Sequence, residues 1–101
     1  MRMVMVIFRQ SLEDDILRLF EELRVQAFTE SPKVFGVGEA GSAFASFAWP
    51  GHNCMIFSAL ADDQAGRVVE GLRALRDRLA RGQHGAAIPI RVFLLPCEQA
   101  V

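Results

Sequence analysis

Met3-Val-Met-Val-Ile-Phe8 is an unbroken apolar run set between Arg2 and Arg9. It is too short for a typical helix, and its valines and isoleucine favour a pleated strand. Side chains alternate along a strand, so Met3, Met5 and Ile7 point one way and Val4, Val6 and Phe8 the other. Both faces are therefore apolar, which predicts a central strand covered on both sides. Asn53 to Leu60 repeats the pattern. Cys54, Ile56 and Leu60 share one face, Met55, Phe57 and Ala59 share the other, and Ser58 is the polar interruption.

Two helices flank these runs. The first opens at Ser11, whose hydroxyl is expected to cap it, with Glu13, Asp14 and Asp15 suited to the positive end of the helix dipole. Leu12, Ile16, Leu19, Phe20 and Leu23 fall on one helical face. The second is expected to be capped by Asp62 or Asp63. Its stripe is Ala65, Val68, Val69, Leu72, Leu75 and Leu79, with Gly82 and Gly85 at its exit. Two weaker strands remain, Ala27–Val37 and Ile88–Leu95. Pro32 interrupts one, and Pro89 and Pro96 lie near the ends of the other. Proline cannot donate to a ladder, so both read as edges.

The order is β-α-β-β-α-β. Two right-handed crossovers with that order make an α+β, ferredoxin-like sandwich, an antiparallel sheet with both helices on one face. The two double-sided apolar runs take the centre and the proline-bearing strands the edges. Two helices cover only one face, so the other apolar face is left for further copies of the chain. Burying even about 600 Å² of apolar area per subunit contributes on the order of 15 kcal/mol gross. A closed homo-oligomer is expected.

The chain has 101 residues, 51% of them apolar, and a formal net charge of -1. This suits a single domain over residues 1–101 and excludes a disordered chain. With 11 basic against 12 acidic residues there is no electrostatic footprint for nucleic acid. No run is long enough to span a bilayer, and the start does not read as a secretory signal. Two cysteines, Cys54 and Cys97, make no disulfide framework, so a reducing cytoplasm is expected.

The residues from Gly36 to Gly51 form the longest stretch without a clear period. Loops of this length are usually functional when they are ordered. Gly36, Gly38, Gly41 and Gly51 allow close approach of a ligand to backbone amides. Phe44, Phe47 and Trp49 could line a pocket or pack on a neighbouring subunit. His52 and Cys54 are the residue types a metal reading would use, but no second ligand pair stands at a familiar interval. The arginines of the second helix interleave with Glu70 and Asp77 and read as a solvated face, with Arg81 the one suited to an anion. No nucleophile elbow, P-loop or dinucleotide fingerprint occurs, so catalysis is not expected.

Four stretches carry a family resemblance: Met3-Val-Met-Val-Ile-Phe with the Ser11-Leu-Glu helix start, Lys33-Val-Phe-Gly-Val-Gly, Trp49-Pro-Gly-His-Asn and Arg91-Val-Phe-Leu-Leu-Pro. In this order, over essentially the whole chain, they resemble the P-II and P-II-like nitrogen regulatory superfamily. The resemblance implies a signalling homotrimer with effector clefts between subunits and a mobile loop that addresses a target enzyme or transporter. It places Lys33, Gly36, Gly38, Glu39, Phe47, Trp49, Pro50, Gly51, His52, Asn53 and Arg81 at the ligand. A nucleotide, as an adenine nucleotide, or another small anion is the implied effector. The chain departs from the family pattern in three ways. It has no tyrosine to uridylylate. Arg81-Gly-Gln-His-Gly-Ala-Ala stands where a Thr-Gly-x-x-Gly-Asp-Gly phosphate loop is usual, and the residues after Pro96 are not expected to supply the family's basic C-terminal phosphate-binding segment. Two other readings stay open: a metal-binding protein similar to the CutA type, using His52 and Cys54, and a small cofactor-free enzyme on the same fold.

Overall fold

The computed structural model describes residues 1–38, 41–42, 51–84 and 87–101. Strand β1 (Arg2–Arg9) is followed by a single 3-10 turn (Gln10–Leu12) and helix α1 (Glu13–Glu22). Strand β2 (Thr29–Val34) leads to a small ribbon of β3 (Val37–Gly38) and β4 (Gly41–Ser42). Then come β5 (Asn53–Leu60), helix α2 (Asp62–Gly82) and β6 (Ile90–Pro96). The four long strands form one antiparallel sheet in the order β2-β5-β1-β6. This is the ferredoxin-like fold. The two double-sided apolar runs, β1 and β5, are central, and the proline-bearing strands are the edges.

The physical reason is visible in the register. Val4 stands opposite Ser58, Val6 opposite Ile56 and Phe8 opposite Cys54. All six are buried and face the helices. Leu12, Ile16 and Phe20 of the first helical segment and Ala65, Val68, Leu72 and Leu75 of α2 close over them. Leu19, Leu23 and Leu79 pack at the margin. Ser58 is tolerated inside because its Oγ donates to the Ala27 carbonyl at 2.5 Å. Phe20 and Phe28 meet edge to face, their centroids 5.5 Å apart.

The opposite face carries Met3, Met5 and Ile7 beside Met55 and Phe57, all half-buried, with Ala59 exposed. Phe93 and Leu95 pair with Met5 and Met3 and are 47% and 41% exposed. Thr29, Ser31 and Arg91 edge this apolar row.

Several local expectations are corrected. Ser11 lies inside the 3-10 turn, and α1 is capped at Leu12 without a side-chain hydrogen bond, so the hydroxyl does not cap it. The cap of α2 is Ala61, and Asp62 and Asp63 occupy its first turn instead. Asp62 pairs with the N-terminal amine at 2.9 Å, and that amine holds its carboxyl below the usual range. Neither helix uses glycine where the chain turns left-handed: Arg24 and His84 take φ of 59° and 55° there. Gly85 lies outside the described residues. The Gly36–Gly51 stretch, read as aperiodic, contains the β3–β4 ribbon. At Pro32 the β2–β5 register shifts between Ser31 and Val34, the bend that proline imposes on an edge strand. The exposed pairs Arg67–Asp63 and Arg73–Glu70 bear out the solvated face of α2.

Candidate functional site

The pairing of β1 with β5 ends at Arg9 opposite Asn53. Just beyond, the Gln10 amide donates to the His52 carbonyl at 2.7 Å, and the Arg9 amide donates to the Pro89 carbonyl at 3.3 Å. The chain can return so closely because Gly51 takes φ 98°; a Cβ there would sit 2.7 Å from Gln10 Oε1. From the other side β2 delivers Lys33 and Val34, and the chain continues through Phe35 and Gly36. A Cβ at Gly36 would press on Asn53 Nδ2 at 3.3 Å.

These residues enclose an open cleft of about 410 Å³ lined by Arg9, Lys33, Val34, Phe35, Gly36, Gly51, His52 and Asn53. Arg9 is 5% exposed, and its Nη1 donates to Asn53 Oδ1 at 3.4 Å. Phe35 is 85% exposed and stands at the rim. The lining holds two cations and no carboxylate among the described residues. Such a wall attracts anions, and a guanidinium presents a planar fork of donors to carboxylate or phosphate oxygens.

Five of the residues singled out from sequence, Lys33, Gly36, Gly51, His52 and Asn53, meet in this cleft. Gly38 lies two residues further on, in the ribbon. Glu39, Phe47, Trp49 and Pro50 lie outside the described residues. Arg81 is not in the cleft. It borders a separate groove between the helices, with Arg18, Arg78, Asp15 and Glu22 on the same walls. Arg9 was read only as the polar end of β1. The available signal was a basic residue closing a strand whose antiparallel partner begins just after a glycine.

A second constellation lies beneath α1. The carboxylates of Glu13 and Glu30 and the Cys54 thiol bring one ligand atom each to within 4.8 Å of one another. Glu30 is pushed up to about 7, chiefly by its hydrogen bond with the Glu13 carboxyl, then by burial and by the Glu13 charge. Burial first, then the two glutamates, push the Cys54 thiol up to about 11. Cys54 Sγ donates to the Pro32 carbonyl at 3.2 Å. Glu30 and Cys54 are both pushed toward their protonated forms, and no metal is assigned to the trio. His52 and Cys54, the pair considered for a metal, serve different places: His52 lines the cleft, and Cys54 faces the glutamates.

The profile of the nitrogen regulatory protein P-II family matches residues 1–101. The chain belongs to that family. P-II family members are signalling proteins and assemble as trimers. No curated protein sequence matches the chain. Among solved structures it is similar to the P-II-like nitrogen regulatory protein CPII of Thiomonas intermedia. The form of CPII bound to ADP and bicarbonate superposes with a TM-score of 0.69 at 17% identity, covering 93% of this chain and 82% of that one. The form bound to ADP, AMP and bicarbonate gives 0.68 at 17% identity, with the same coverage. A P-II-like signalling protein of Thermus thermophilus gives 0.58 at 17% identity, covering 93% of this chain and 83% of that one. These likenesses establish the P-II-like fold. No helix among the described residues is long and apolar enough to cross a membrane.

Proposed function

We propose that this P-II family member senses a small anion, either an adenine nucleotide or a carboxylate-like ion, in the cleft of Arg9, Lys33 and His52. It transmits occupancy through the 36–51 segment to a partner enzyme or transporter in the cytoplasm, without catalysis. The observation that carries the reading is the cation-lined cleft at the root of that segment. A ligand held there touches both chain ends from which the segment departs, Phe35–Gly36 and Gly51–Asn53. Binding energy can therefore select one arrangement of the segment. The ADP and bicarbonate bound by the Thiomonas protein support the ligand class. The apolar outer face of the sheet supports assembly as a homotrimer, with the cleft completed at subunit boundaries.

The test is a thermal shift of the full chain with ADP, AMP, ATP and bicarbonate at fixed salt. Concentration-dependent stabilisation by at least one of them is expected, because a ligand that binds only the native state raises its stability by mass action. No shift with any of the four overturns the effector assignment.

A further inference from the structure

We propose that Glu13 and Glu30 form a proton-operated latch that ties β2 to the start of α1 and so sets the position of the cleft wall that β2 carries. Its relevance to signalling rests on the cleft reading above; the latch itself does not require a ligand.

Glu13 is the first residue of α1, and Glu30 lies near the start of β2. Glu30 stands opposite Ile56, on the helix-facing side of the sheet, so its carboxyl points under α1. One of its oxygens, Oε2, is buried without a hydrogen-bond partner among the described residues. Among the described residues, the titratable groups facing it are Glu13 from α1 and the Cys54 thiol from β5, on which β2 packs. Neither supplies a positive charge. With one proton between them the two carboxyls bond to each other, and the protonated group donates. When that proton leaves for water, two like charges remain within 4.8 Å of each other in a partly dry site, where their repulsion is poorly screened.

β2 is the element able to yield. It is an edge strand, joined to the sheet on one side only. Its ladder is already broken between Ser31 and Val34, beside the Cys54–Pro32 contact. Lys33, Val34, Phe35 and Gly36 follow directly and make one wall of the cleft. A displacement of Glu30 away from α1 is therefore passed along the intervening backbone to the cleft lysine. Loss of the proton loosens the latch; gain of the proton closes it.

The test is a ligand-free NMR titration of the full chain from pH 5 to 8.5, following the Glu30 carboxyl carbon and the Lys33–Gly36 amides. The expected result is a carboxyl midpoint near 7, with the amide signals moving at that same midpoint. In Glu30→Gln, which keeps a donor but cannot titrate, the amide transition is expected to vanish. Should that variant fail to fold, Glu13→Gln removes the like charge and is expected to return the Glu30 midpoint toward the ordinary carboxylate range. A Glu30 midpoint of 4 to 5 in the unaltered protein overturns the latch, as do amides that stay still while Glu30 titrates. The anion thermal shift fails or succeeds independently, since no ligand enters the titration.

Discussion

The Arg9 guanidinium and the Asn53 side-chain oxygen meet at 3.4 Å across the last residue pair of β1 and β5. The contact fixes a cation at the mouth of the sheet, where the 36–51 segment leaves and returns. Asn53 accepts this hydrogen bond, so the contact helps to orient the guanidinium. Replacing it by an apolar chain of similar length, Arg9→Met, is expected to abolish stabilisation by anions while leaving the far-ultraviolet circular dichroism unchanged. A retained thermal shift with ADP and bicarbonate would exclude Arg9 from the site.

Gly51 makes the same geometry from the backbone. A side chain there meets both a left-handed φ and Gln10 Oε1. Gly51→Ala is therefore expected to destabilise the fold by about 1–2 kcal/mol. It is also expected to weaken anion binding more than the stability loss explains. Chemical denaturation and ligand titration on the one variant measure both.

The raised Glu30 carboxyl gives stability a sign with pH. The native state holds its proton up to about 7, whereas the unfolded chain releases it near 4.5. Between those values the folded protein binds more protons than the unfolded one. This contribution is complete below the lower value and is lost as pH rises through the upper. The melting temperature of the unaltered protein is expected to fall from pH 5 to 7.5 more steeply than that of Glu30→Gln. Parallel curves would contradict this.

Gly66 lies on the exposed side of α2 with nothing within 4 Å of where its Cβ would stand. Alanine there lowers the backbone entropy lost on folding and touches nothing. Gly66→Ala is expected to stabilise the protein by about 0.5–1 kcal/mol. An unchanged denaturation midpoint would mean that glycine costs the helix nothing at this site.

Phe93 pairs with Met5 at the centre of the open apolar face and is 47% exposed. A charge placed there cannot be buried against another copy without a partner. Phe93→Asp is expected to convert a threefold mass in light scattering to the mass of one chain. If the unaltered protein already scatters as one chain, the trimer proposal falls.

The architecture was readable from local pattern. Both faces of Met3–Phe8 are apolar, and a strand of that kind belongs in the middle of a sheet. Pro32 and Pro96 withhold an amide, and strands that carry such residues belong at its edges. The helical stripes needed only the 3.6-residue period. The caps were misread because Ser11, Asp62 and Asp63 suit several positions of a first turn, and their choice depends on how the preceding strand delivers the chain.

Part of the site escaped the same reading. Lys33, Gly36 and the Gly51–Asn53 return were marked by their glycines and by family likeness, whereas Arg9 carried no mark beyond ending a strand. Glu13, Glu30 and Cys54 are scattered along the chain and follow no common spacing. Side-chain period along one segment establishes which face a residue takes and whether that face meets water, and here it was enough for the sheet and its helices. Which residues from different segments stand opposite one another depends on strand register and on the path of each crossover. Those are settled by packing the whole core at once, and that packing alone brought Arg9 beside Asn53 and one glutamate beneath another.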